Sequence, residues 1–394
     1  MPTTFETIFL IFFFALGACV GSFLNVVVYR MPLNLSIVAP GSYCPACKHP
    51  LAFYFNIPIL AWFYLGGKCF YCKAPYSFRY PLIELLTALL FAGFYAAYFL
   101  FDVRDVMPPF TQGGWLILLG HLVLLSVLFS GSLIDLEHFI IPLALCYVVV
   151  IVALIIVPVA AEIVDVDQEH AWKIMPSATP DLAAVALGST VGLLVANILL
   201  RTGLIKRSYH ELETLYEQYE KSGTEPPEDI EAGVNHRKEM VREMAFLAPI
   251  ALGAFAAHYL LADSSSLGKN WVGWVEWVGQ TRWAAGLFGC LFGYLAGAAT
   301  VWATRIGGSL LFGKEAMGLG DVHLMGAVGA MLGWQTSVLA FFIAPFFGLG
   351  FGLVRLIFRG QREIPYGPFL SLATVLLMIE HDSIFGLIQN LIHP

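Results

Sequence analysis

Runs of about 20 apolar residues recur along this chain, each the length a helix needs to cross a bilayer core of roughly 30 Å. We read ten: 5–29, 81–101, 114–134, 140–160, 183–203, 245–262, 283–303, 322–340, 341–358 and 367–390. The pair at 322–358 is short for two crossings and could include a half-helix. Only 12% of the residues are charged and 58% are hydrophobic, against roughly 25% charged in ordinary soluble chains. A soluble globular protein is thereby excluded. The expected fold is an all-α polytopic membrane protein of about 8–10 transmembrane helices.

The stretch "LGACVGS" looks like a lipoprotein cleavage site, but the first six residues hold Glu6 and no Lys or Arg. A signal peptide needs a basic start, so this helix is expected to stay in the mature protein. Seventeen of the 21 Lys and Arg residues fall in 30–80, 201–244, 304–322 and 355–362. Short basic loops remain cytoplasmic; the N-terminus is therefore expected outside, with those four loops inside. The exceptions, Arg104, Lys173, Lys269 and Arg282, lie in the intervening loops.

The expected domains follow: a first helix over 1–29, a cytoplasmic zinc-knuckle domain over 30–80 and membrane helices over 81–203. A segment at 204–282 reads as an insertion, and membrane helices resume over 283–394. The net charge of -7 says little about partners. Acids gather in the outside segment 161–182 (Glu162, Asp165, Asp167, Glu169 and Asp181) and in the insertion. No basic stripe suggests nucleic acid.

Within the insertion, Leu212, Leu215, Tyr216 and Tyr219 fall at helical spacing and Gly223 can end the helix. A solvated accessory hairpin is expected there. Trp271, Trp274 and Trp277 are spaced as an interfacial aromatic belt would be. The segments 181–201 and 282–305 echo one another as Ala/Gly-rich helices suited to close packing.

The segment 30–80 is too small for a core of its own without a staple. Cys44, Cys47, Cys69 and Cys72 form two CxxC knuckles, and four thiolates at about 2.3 Å around Zn²⁺ make a closed structural site. The alternative is a pair of disulfides, which a cytoplasmic location disfavours. Cys19, Cys146 and Cys290 read as small apolar residues within spans.

Asp135, near the cytoplasmic end of the third run, and Asp321, where a later helix enters the membrane, are candidate functional acids, because ionisable groups at such depth are costly. Helix capping is the structural alternative for either. If they meet, they would share one proton as a catalytic aspartate pair. Gly318 and Gly320 would let an extended substrate strand lie against the loop. Glu137 and His138 read as surface residues. His121, 14 residues before Asp135 on one helix and hence roughly 21 Å away, cannot join the pair. Glu84 could pair with Arg79 or serve a second activity.

These stretches, together with "GACVGSFLNVVVYRMP", "NIP", "SFRYPLIELLTALLF", "KEAMGLGDVHLMGAVGAMLG" and "IPYGPFL", resemble the bacterial type IV prepilin peptidases. The resemblance implies a GxGD membrane aspartic endopeptidase of the bacterial inner membrane that acts on prepilin and pseudopilin partners in the lipid bilayer. It implies cleavage of leaders after a glycine at the cytoplasmic face, with Asp135 and Asp321 as the pair. It also implies N-methylation of the new terminus with S-adenosylmethionine, although no G-x-G-x-x-G loop marks a donor site. The family usually has Asp where this chain has Phe55 and Lys where it has His323, and usually eight spans; the segment 204–282 would add two crossings and a hairpin. The rival enzyme class is the presenilin or signal-peptide-peptidase kind, which lacks the knuckles, and a transporter or scaffold is the non-enzyme reading.

Overall fold

The computed structural model describes all residues except 1–2, 105, 165–170, 225–226, 228–229, 231–232, 263–271, 359–364 and 393–394. Trp271, Lys269, Arg359, Arg362, Asp165, Asp167 and Glu169, all used above, therefore lie outside the described residues. The helices are α1 (Thr4–Arg30), α2 (Leu60–Tyr64), α3 (Arg79–Phe99), α4 (Gly114–His138), α5 (Leu143–Ile163), α6 (Pro180–Arg201) and α7 (His210–Ser222). They continue with α8 (His236–Ala257), α9 (Val272–Gln280), α10 (Arg282–Phe312), α11 (Leu319–Leu332), α12 (Trp334–Phe358), α13 (Gly367–Ile379) and α14 (His381–Ile392).

Among the described residues, eight helices are long and apolar enough to cross a membrane: α1, α3, α4, α5, α6, α8 with its short π-helical extension to Leu261, α10 and the start of α12. The expected 8–10 helices agree with this, and two of the ten runs depart from a single straight crossing. The run 322–340 is not one helix: α11 has 14 residues, about 21 Å at 1.5 Å per residue, too short for a bilayer core. Gly333, at φ 90°, breaks the chain there, because an L side chain avoids that conformation. The last run, 367–390, bends by 89° between α13 and α14. Within 204–282 the described residues hold one helix of spanning length, reaching Leu261.

The chain divides into two compact units, residues 1–175 with 339–394 and residues 176–338. In the first, α1 lies along α3. Gly17 and Gly21, four residues apart on one face, touch it so closely that an added Cβ would stand 2.7 Å from the Ala88 Cα and 2.8 Å from the Glu84 Cα. The "LGACVGS" stretch is thus a helix-packing seam of small residues, the usual device where lipid gives no hydrophobic drive between helices. Glu6 closes α1: Thr3 and Glu6 form a reciprocal capping box. Farther along, α4 packs between α5 and α13, and buried His121 shares a 2.9 Å hydrogen bond with Tyr98. Tyr98 in turn donates to the Met378 carbonyl.

In the second unit, α6 packs on α8 and α10 packs on α11. Each pair is seamed by glycines, Gly188 and Gly192 against Gly253 and Pro249, and Gly293 against Gly329. The echo between the two Ala/Gly-rich segments therefore has a structural counterpart. Trp274 is not a simple interfacial anchor: its indole donates to the Pro180 carbonyl at 3.0 Å and packs on the Ala178, Ala183 and Phe288 core.

Candidate functional site

The sequence dictates the two cysteine turns almost residue for residue. Cys44 N–H bonds His49 O and Lys48 N–H bonds Cys44 O; 25 positions later, Cys69 N–H bonds Ala74 O and Lys73 N–H bonds Cys69 O. Lys48 and Lys73 both take positive φ, near 60°, so each CxxC folds back on itself as the same knuckle. All four thiols are free, and their sulfurs lie within 4.8 Å of one another. Cys44 and Cys72 sulfurs are 3.8 Å apart, about the S···S edge of a tetrahedron with Zn–S bonds near 2.3 Å and well beyond a disulfide bond.

Electrostatics fits a cation there. Burial works against the Cys44 thiolate, yet the Cys47 amide, the Tyr76 hydroxyl and the Ala46 amide outweigh it and bring its pKa to about 6. The Cys72 amide lowers Cys69 too. Cys72 is helped by the Ala74 amide, but burial and the three other thiols push it up to about 11. Thiols this close cannot all ionise without a counter-charge. The buried Tyr76 hydroxyl has no conventional acceptor among the described residues and stands beside the Cys44 and Cys69 sulfurs, placed to donate to bound thiolates. The residues fit a four-thiolate metal.

Asp135 occupies the last turn of α4 and is 6% exposed. Its Oδ2 accepts the Gly367 N–H at 3.0 Å. Gly367 opens α13, followed by Pro368, which has no N–H, so the carboxylate satisfies the one free donor at the start of that helix. The cap is therefore to another helix, not its own. An added Cβ on Gly367 would sit 2.6 Å from this oxygen, which explains the glycine.

Asp321 lies in the second unit, in the first turn of α11, and is 8% exposed. A carboxylate there faces the positive end of the helix dipole. Gly318 is the N-cap at φ -72° and is exposed; an added Cβ would meet nothing closer than Asp321 Oδ2 at 3.7 Å. The fold itself does not require glycine at this position. His323, two residues on, shares a 2.9 Å hydrogen bond with the Tyr294 hydroxyl.

A group that sequence reasoning missed holds the approach to Asp321. Arg305 on α10 is wholly buried; it is paired with Glu243 of α8 at 3.0 Å and with Glu315 at 2.5 Å, and it donates to the Met317 carbonyl. Glu243 also accepts from the Trp302 indole at 2.7 Å and the Ser208 hydroxyl, while Tyr209 N–H donates to Glu239. The hairpin of the insertion is thus not only solvated: its base is tied to the segment that leads into Gly318. The signal available in the sequence was the placement of Glu243 and Arg305 at the ends of apolar runs, where an ion is costly.

Glu84 does not pair with Arg79. Arg79 pairs with exposed Glu137 at 2.6 Å, and Glu84, 9% exposed, accepts the Ile59 N–H at 2.6 Å. Ile59 takes φ 63°, a strained conformation for a β-branched residue. Glu84 therefore ties the "NIPIL" loop to α3.

This architecture defines a multi-pass membrane protein with an appended four-cysteine domain and buried acids at helix ends in both units. Residues 15–98 match the bacterial peptidase A24 N-terminal domain, which contains the knuckles and Glu84. Residues 246–353 match the type IV leader peptidase family; this match reaches into the segment read as an insertion and contains Asp321, while Asp135 falls in neither. The chain is 26% identical to the prepilin leader peptidase/N-methyltransferase of Aeromonas hydrophila, over 95% of this chain and 91% of that one. It is 27% identical to the protein of that name from Pseudomonas aeruginosa, over 94% and 89%. A third so named, from Myxococcus xanthus, is 47% identical over 146 residues, 37% of this chain and 39% of that one. No solved structure matches. The two matched segments, together just under half of the chain, are similar to parts of the type IV leader peptidase family, and the chain is a peptidase.

Proposed function

We propose that the chain removes the leader of type IV prepilins and pseudopilins at the cytoplasmic face of the bacterial inner membrane, cutting after a glycine, with Asp135 and Asp321 as its catalytic pair. The observation that carries this reading is that both acids are nine-tenths buried at the ends of apolar helices, where burial without function is costly. The names of the Aeromonas and Pseudomonas relatives support the substrate class.

In this reading one carboxylate takes a proton from the attacking water while the other, protonated, gives its proton to the scissile carbonyl oxygen. The pair then titrates as a unit. Gly318 and Gly320, free of side chains, leave room for an extended substrate strand to bond to the loop. The four cysteines hold zinc as a closed structural site that orders the 30–80 domain and takes no part in bond cleavage.

The same relatives' names support methylation of the new N-terminus with S-adenosylmethionine as donor. The side chains described above do not single out a donor site, and no step is assigned to them.

The test is leader cleavage by Asp135→Asn and Asp321→Asn. An asparagine oxygen still accepts the Gly367 N–H, so folding is preserved while cleavage falls on the order of 10⁴-fold; normal cleavage by both variants would end the proposal. Parallel incubation with a type II membrane peptide separates leader processing from the presenilin-like alternative. Mass spectrometry of the mature first residue reads the methyl transfer.

A further inference from the structure

The cysteine domain carries a surface that neither the peptidase nor the metal site uses. Residues 30–80 contain five Lys and Arg and no Asp or Glu, in a chain of net charge -7, and they contain 12 Phe, Trp and Tyr. Many of these rings face outward: Phe53 is 84% exposed, Phe63 and Tyr64 60%, and Phe70 50%. The domain buries Cys44 and Cys69 yet leaves these rings outside.

The rings are not scattered. Phe55 is the hub, with Phe70 stacked on it at 4.6 Å, Tyr64 at 6.2 Å and Tyr54 edge-on at 4.5 Å; Tyr54 in turn meets Phe53 at 5.3 Å. A lysine flanks the cluster, with Lys73 Nζ 5.2 Å from the Phe70 ring, and in the same domain Lys48 Nζ lies 5.4 Å from the Tyr43 ring. Contiguous exposed apolar patches of this kind mark a partner. Aromatic rings with adjoining cations and no acids match the headgroup zone of an anionic leaflet, where rings sit among headgroups and each Lys adds attraction. Connectivity holds the surface there. The domain leaves the membrane at Arg30, the last residue of α1, and returns at Arg79, the first of α3, and these two helices are packed along their length.

We propose that the aromatic and basic face of the 30–80 domain docks on the anionic lipid surface from which α1 and α3 emerge, so that the domain lies against the bilayer. The proposal rests on the membrane spans and on this face, not on the peptidase reading, so leader cleavage is an independent readout.

The test is hydrogen–deuterium exchange across residues 48–73 of the whole protein in nanodiscs of phosphatidylcholine, with and without phosphatidylglycerol. Slower exchange in the anionic discs is expected, reversed by raised salt and by Lys48→Gln/Lys68→Gln/Lys73→Gln, with association weakened about fivefold per lysine. Phe53→Ser, at a ring that the fold leaves exposed, gives the same loss without unfolding the knuckles. Equal exchange in both lipids, in high salt and in the variants would overturn the proposal. Protection that arises only on adding a prepilin would overturn it too, in favour of a substrate shelf.

Discussion

Asp135 Oδ2 and the Gly367 amide are joined by a 3.0 Å hydrogen bond across 232 residues of sequence. The bond sets the first turn of α13 on the carboxylate, and the same contact leaves no space for a side chain on Gly367. Gly367→Ala must displace the acid or the helix, since the new Cβ would sit 2.6 Å from Oδ2 and 2.9 Å from the Ile141 Cδ1. Loss of a hydrogen bond to a charged group costs about 1.5–3 kcal/mol. Leader cleavage and the midpoint of thermal unfolding in detergent are both expected to fall; an unchanged midpoint would show that α13 is placed by something else.

Gly318 behaves in the opposite way. Its φ is negative and its added Cβ finds ordinary contact distances, so Gly318→Ala is expected to leave the unfolding midpoint where it is. If the strand of a substrate lies against this residue, the methyl group pushes it off. The loss of one main-chain hydrogen bond, about 1 kcal/mol, raises KM about fivefold. A steady-state comparison of KM and kcat on one prepilin reads this directly.

The metal site is checked by removal. Metal analysis of the purified protein is expected to return one zinc per chain. Cys44→Ser, or a strong chelator, takes away a metal whose binding is worth about 10 kcal/mol or more to small zinc domains. The 30–80 segment then becomes sensitive to protease while the membrane helices keep their circular dichroism. Retention of zinc and of protease resistance by Cys44→Ser would contradict the site.

How much of this was legible in the sequence depends on range. The spans, the knuckles and the depth of both aspartates follow from local pattern, because apolar runs, CxxC spacing and a lone acid are read within about 20 residues. The break at Gly333 was not legible, since apolar residues continue through it and only a backbone angle marks the stop. For Glu84 the sequence offers Arg79 or a second activity; its partner is a strained backbone amide 25 residues away. The contact of Gly367 with Asp135 spans 232 residues and leaves no local mark in the sequence.

The Arg305 group is the feature least visible from sequence. Arg305 and Glu243 are 62 residues apart, and their side chains are 1% and 3% exposed. Glu243→Gln leaves the cation with only Glu315 as an ionic partner, and breaking a buried pair from one side costs about 3–5 kcal/mol. Because Arg305 also holds the Met317 carbonyl, next to Gly318, cleavage is expected to fall beyond what the lost stability explains. Arg305→Lys keeps the charge but cannot reach Glu243, Glu315 and Met317 together. It is expected to retain more stability than Glu243→Gln while losing most cleavage. Thermal unfolding and kcat measured on the same preparations separate the two effects. If both variants lose activity only in proportion to the fraction unfolded, Arg305 supports the fold and does not place the strand before Asp321.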